Sequence, residues 1–192
     1  MRKYLIYFVE LISRPMRFLS QWRAGFIVGL CLLAASWSRG EHPFVQTCEN
    51  NLSATWEKGR LELLLPAHTW HNRWHYSHKQ IESYNENPWG IGLSKTYEDA
   101  QHRHRLFVLT FQDSFNKPEP TFGYSWQLIW LAEHTVRPTL GVVAGFTLRE
   151  NYHWIPLPAA IPIAGLDIGP LSLETTYLIG FDVLFSWVTW RF

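Results

Sequence analysis

Two stretches of this chain alternate, residue by residue, between large apolar and small side chains. That period of two limits the folds open to it. In residues 121–130 one face reads Phe122, Tyr124, Trp126, Leu128 and Trp130, and the other Thr121, Gly123, Ser125, Gln127 and Ile129. Residues 139–149 repeat the pattern, with Leu140, Val142, Ala144, Phe146 and Leu148 on one side. Thr139, Gly141, Val143, Gly145, Thr147 and Arg149 lie on the other. Successive side chains of a strand point to opposite faces, so each stretch is a strand with one bulky apolar face and one small face. Bulky outward and small inward is the alternation a β-barrel needs in lipid, where about ten residues suffice for one tilted crossing.

Composition supports the membrane setting over a soluble barrel or sandwich. Aromatic residues make up 16% of the chain, with eleven Trp, and no apolar run beyond residue 40 is long enough for a spanning helix. Aromatics at both interfaces are a mark of transmembrane barrels. Eight candidate strands can be counted, at about 61–71, 90–97, 103–113, 121–131, 138–149, 157–166, 170–179 and 183–192. An even number closes into an up-and-down barrel without a free edge. The expected fold is therefore all-β, an eight-stranded antiparallel transmembrane barrel. A closed small barrel needs no partner for stability, so a monomer is expected.

The first 40 residues differ from the rest. They hold six Lys/Arg against one acid, leaving eleven bases and fifteen acids beyond, a net of −4. Residues 24–35 form an apolar run shorter than the roughly 20 residues a spanning helix needs, behind Arg14, Arg17 and Arg23. This reads as a secretory signal peptide, residues 1–40, cleaved between about 35 and 40. Cys31 would leave with it, and Cys48 alone permits no disulfide within the mature chain. Residues 41–60 form the next segment, where Val45, Leu52 and Trp56 recur at helical spacing among polar residues. It reads as a short amphipathic helix at the membrane interface. No basic patch marks the chain, so nucleic acid is not an expected partner.

Candidate chemistry collects where strands end. His71 closes the first strand, and Asp113 and Ser114 close the third. In an up-and-down barrel odd-numbered strands finish at the same end, so these residues share a mouth. A His can move a proton near neutral pH, a carboxylate can hold its imidazolium, and a Ser can attack or donate to an oxyanion. Asp113 and Ser114 are adjacent and would point to opposite faces of an ideal strand, so a bend is required for both to act. His71, His75 and His78 approach metal-ligand spacing, but lie on a loop without Cys or a paired acid. No phosphate-cradling Gly motif appears, and no metal, nucleotide or CoA cofactor is implied.

The block 111–126, FQDSFNKPEPTFGYSW, resembles the PagP family of outer-membrane lipid A palmitoyltransferases. So do Thr69-Trp70-His71, the YNENPWG block at 84–90 and Ile155-Pro156-Leu157-Pro158. The resemblance runs from about residue 45 to 192. It implies transfer of a long acyl chain, palmitate, from a glycerophospholipid to lipid A of lipopolysaccharide. His71, Asp113 and Ser114 would be the catalytic residues, facing the cell surface. It also implies lateral openings flanked by Pro66 and Pro88, and by Pro158 and Pro162, through which lipids pass. Pro cannot donate to a ladder, which gives those openings a physical basis. By the same resemblance Ser125 stands at the floor of the acyl chain, where the family has Gly. Gln80 falls where the family recognises lipopolysaccharide with Lys, Asp182 aligns with a gating position, and Ile179 replaces a further Pro. The terminal Phe192 resembles the signal read by the barrel assembly machinery. Two rivals stand beside this reading: a structural or adhesive surface barrel, which makes no use of His71, and a narrow pore for hydrophobic solutes, which needs an open lumen rather than a floored one.

Overall fold

The computed structural model describes residues 43–192; the expected signal peptide lies outside them. A helix, α1 (Pro43–Lys58), leads into eight strands: β1 (Arg60–His71), β2 (Gly90–Glu98), β3 (His102–Gln112), β4 (Pro118–Ile129), β5 (Val136–Thr147), β6 (Leu157–Ile168), β7 (Leu171–Leu178) and β8 (Val183–Arg191). Each pairs antiparallel with the next, and β8 pairs with β1 to close the barrel. One end carries the connections 72–89, 113–117, 148–156 and 179–182, and is called the loop end. The other carries the short turns, α1 and the C-terminus, and is called the terminal end.

The alternation read in β4 and β5 recurs in the other strands, with one slip in β1. Phe122, Trp126, Leu140, Val142 and Phe146 face outward and are exposed, as are Leu61, Leu93, Val108, Leu166 and Leu173 on other strands. Trp130, Trp190 and Phe192 lie toward the terminal end of this apolar belt, and Trp74, Trp89, Phe115 and Trp154 crown the loop end. The belt with aromatics at both rims is the surface a barrel presents to lipid.

The helix α1 packs on the outer face of β2 and β3. Thr55 is fully buried there, while Leu52 (40%) and Trp56 (66%) stay exposed. Its small residues therefore meet the barrel and its apolar ones face away, the arrangement of a helix lying in a membrane interface. Lys95 of β2 ties it down, donating to the Trp56 carbonyl and lying 5.0 Å from the Trp56 ring centre.

The interior does not share the small inner faces of β4 and β5 all round. Instead the half toward the terminal end holds four guanidinium groups (Arg103, Arg105, Arg137, Arg191) against four carboxylates (Glu62, Glu98, Asp167, Glu174). Arg105 spans the barrel from β3, meeting Glu174 at 2.7 Å and Glu62 at 3.1 Å. Glu174 also accepts from Gln127 (2.9 Å), Trp187 (3.0 Å) and Thr189 (2.6 Å). Balanced charge and multiple donors per carboxylate are what make such a buried cluster tolerable. The half toward the loop end is apolar: Leu64, Leu109, Ile163, Phe185 and Trp187 cluster with Phe107, Phe111 and Leu178. On the opposite wall Gly123, Gly145 and Ala159 are cross-strand neighbours and add almost no bulk.

Two ladders stop short in the apolar half. The β1–β2 register ends at Leu64↔Gly92, leaving the rest of β1 unpaired with β2. The β6–β7 register begins at Ile163↔Thr176, so residues 157–162 of β6 are outside the ladder with β7. Pro66 follows the first break and Pro162 borders the second.

Removing one partner from the ionic cluster leaves a charge buried and unpaired. Glu174→Leu is expected to destabilise the barrel by about 3–5 kcal/mol, read from denaturant unfolding in detergent micelles. An unfolding midpoint matching the parent's would mean the cluster is solvated rather than buried.

Candidate active site

Pro66 decides where His71 points. Strict alternation from Glu62 and Leu64 would put even-numbered residues of β1 inside and His71 outside. The register slips between Pro66 and His68, one extra residue in β1 against β8. Beyond this bulge Thr69 and His71 face inward, opposite Phe185 and Val183, and His71 is only 2% exposed. A Pro in a ladder is accommodated at such irregularities, and a bulge re-aims the side chains that follow it.

The His71 ring lies between two tyrosines, tilted over Tyr84 at 4.6 Å and edge-on to Tyr76 at 5.6 Å. Its Nε2 is 2.9 Å from Ser114 Oγ, and its Nδ1 is 3.0 Å from Glu86 Oε1. The backbone N–H of His71 donates to the same Glu86 oxygen at 3.1 Å. Arg73 grips both Glu86 oxygens in a fork of 2.7 and 2.6 Å. These Arg73 hydrogen bonds, against partial desolvation and with help from the His71 donors, hold the Glu86 carboxyl at about 2. A carboxylate so depressed contributes stability that is whole above its ordinary range and is lost progressively as pH falls from there through about 2. At neutral pH Glu86 is an anion facing the imidazole.

Asp113 and Ser114 sit in a tight turn rather than in β3, which supplies the bend their adjacency required. Asp113 Oδ1 accepts the N–H groups of Phe115 and Lys117, both at 2.8 Å, and Asn116 adopts a positive φ of 61°. Asp113 Oδ2 pairs with Arg149 at 3.1 Å. The Ser114 carbonyl accepts the Asn85 N–H at 2.8 Å, fastening this turn to the long loop that carries Glu86. The structure thus brings His71 and Ser114 together. Among the described residues, no hydrogen bond or ion pair joins Asp113 to His71. The carboxylate against the ring is Glu86, which residue-by-residue reading passed over. It lies within the YNENPWG block, and the pairing of a loop acid with an Arg two residues past His71 was its only sequence trace.

The remaining expected residues are more dispersed. Ser125 faces inward on β4, 2% exposed, beside Arg105 and Val143 in register. Among the described residues its hydroxyl has no hydrogen-bond partner. It lies where the apolar half meets the ionic cluster. Gln80 belongs to the four-residue helix α2 (His78–Ile81), and its side-chain oxygen accepts the Ser77 N–H at 3.0 Å. Asp182 ties the last loop to the first, accepting from Tyr177 (2.5 Å) and pairing with His75 (3.0 Å). Pro88 is buried just before β2, and the Pro162 carbonyl accepts from Thr176 at 2.6 Å.

Fold and site together define a membrane-type barrel with a Ser–His–carboxylate constellation at its loop end. Sequence comparison then identifies the relatives. A family profile described as antimicrobial peptide resistance and lipid A acylation protein PagP matches residues 51–189. The lipid A acyltransferase PagP of Laribacter hongkongensis is 41% identical over 153 residues, covering 77% of this chain and 74% of that protein. Its namesake in Dickeya zeae is 41% identical over 157 residues, 78% of this chain and 72% of that one. The one in Musicola paradisiaca is 37% identical over 182 residues, 90% and 95%. The chain belongs to the PagP family.

Proposed function

We propose that this protein is a lipid A acyltransferase of the outer membrane, moving a long acyl chain, palmitate, from a glycerophospholipid to lipid A. The observation that carries this reading is the His71–Ser114 contact at the mouth of an apolar half-barrel, in a chain whose relatives are named for lipid A acylation. In the transfer the ester bond between acyl carbon and glycerol oxygen breaks, and one to a lipid A oxygen forms. The proton leaving the acceptor hydroxyl ends on the glycerol oxygen. His71 carries that proton, its Nε2 being the ring nitrogen turned to the Ser114 hydroxyl. The loop end faces the cell surface, where lipopolysaccharide lies, and the barrel enters the outer membrane through the barrel assembly machinery.

The acyl chain lies along the apolar half, between the aromatic cluster and the bare wall of Gly123, Gly145 and Ala159. The break after Leu64, flanked by Pro66 and Pro88, admits the phospholipid. The break bordered by Pro162 admits lipid A. Support for lateral passage is physical: a barrel wall opens most easily where no ladder hydrogen bonds hold it. Gln80 and Asp182, on the loops above, contribute to the lipopolysaccharide-facing rim.

The test is the lipid A mass spectrum of cells with and without the protein. An added mass of one fatty acyl group is expected, absent in cells carrying His71→Ala. Loss of the proton-moving group costs about 10²–10⁴-fold. An unchanged spectrum under expression of the parent protein would favour a structural barrel.

Acyl length provides a second test. The unpartnered Ser125 hydroxyl at the chain terminus costs about 1–3 kcal/mol against an apolar end. Ser125→Gly is expected to lengthen the preferred donor chain, and Ser125→Met to shorten it by several carbons. Phospholipids of graded chain length decide this, and one shared preference across all three proteins would remove Ser125 as the floor.

A further inference from the structure

We propose that Glu86 is the carboxylate that orients His71, and that Asp113 acts through the turn carrying Ser114. The inference rests on the acyl-transfer reading and names a positioning residue for it. An ionised carboxylate only accepts hydrogen bonds, so a neutral His71 facing Glu86 through Nδ1 carries its proton there. That leaves the Nε2 lone pair toward Ser114 Oγ at 2.9 Å, and the hydroxyl is the donor of that bond. This is the tautomer a base needs to take a proton from a hydroxyl, and a third group fixing it is the general logic of such relays.

Glu86 is itself immobilised. One oxygen takes both the His71 backbone N–H and the ring, so the carboxylate is fixed relative to the end of β1. The Arg73 fork holds both oxygens and prevents the carboxylate from turning away. With Tyr84 and Tyr76 packed on its sides, the imidazole has little room to rotate. Asp113, by contrast, is fully engaged elsewhere. One oxygen organises the turn through the Phe115 and Lys117 N–H groups, and the other pairs with Arg149. Its effect reaches His71 only through the placement of Ser114.

The experiment compares Glu86→Gln, Glu86→Asp and Asp113→Asn in purified, assembled barrels with ¹⁵N-labelled histidine. His71 signals are assigned by their loss in His71→Ala. In the parent, ring ¹⁵N shifts are expected to show Nδ1 protonated and Nε2 bare. The Glu86→Gln amide can donate to Nδ1 and drive the proton to Nε2. The expected result is a changed tautomer, kcat lower by about 10²–10⁴-fold, and KM for the phospholipid little altered. Glu86→Asp keeps the charge and is expected to recover part of kcat. Asp113→Asn retains an acceptor oxygen for the turn and is expected to leave the His71 tautomer unchanged. Parental kcat and tautomer in assembled Glu86→Gln would overturn the proposal, as would a tautomer change confined to Asp113→Asn. A parent protein that transfers no acyl chain would sink the acyl-transfer reading alone, because the tautomer comparison still decides the part of Glu86.

Discussion

In lipid every backbone N–H and C=O must be satisfied within the protein, and the closed ladder of β1–β8 is the answer on which all else here rests. Closure fixes what faces the membrane and what faces inward, so along each regular stretch of strand one parity is committed to lipid and the other to a confined interior. It also makes any interruption consequential. The ladder is interrupted at two places, beyond Leu64↔Gly92 and before Ile163↔Thr176, and both lie in the half nearest the site. The Pro66 irregularity does a second job, since its bulge turns His71 inward.

The confined interior is then divided by chemistry. A balanced cluster of arginines and acids fills the half toward the terminal end, and apolar side chains with a bare glycine wall line the other. A charged layer is a hard floor for an apolar guest, because burying carbon against it displaces hydrogen bonds without replacing them. Ser125 stands at that boundary with its hydroxyl unpartnered among the described residues. In the proposed function, the charged layer below and the two ladder breaks above let an acyl chain be held near His71 and Ser114 without the barrel coming apart.

Much of this was legible in the sequence because it depends on local pattern. The parity of β4 and β5 is written in consecutive residues, and eight strands follow from such runs and the turns between them. His71, Asp113 and Ser114 were legible by residue type at strand ends and by resemblance. The ionic cluster was not, because Arg105 meets acids 43 and 69 residues away, and Arg103 one 64 away. No window of sequence contains those pairs. Glu86 was hidden for a related reason: the fold of residues 72–89 and its tie to Ser114 bring it under the ring. The β1 bulge also escaped, since Pro66 signals a disturbance of the ladder without saying which way the following side chains turn. For α1 the apolar positions were read, but not that Leu52 and Trp56 face away from the barrel.

The proposed acyl chain occupies the apolar half of the barrel with its end at the level of Ser125. A phospholipid carrying a photoreactive diazirine at the last carbon of its acyl chain tests this directly, by irradiation with the purified barrel and mass-spectrometric mapping of the adducts. Adducts are expected on inward residues at that level, Ser125 and Val143. Adducts confined to outward residues such as Phe122, Val142 and Phe146 would place the chain on the lipid-facing surface and contradict it.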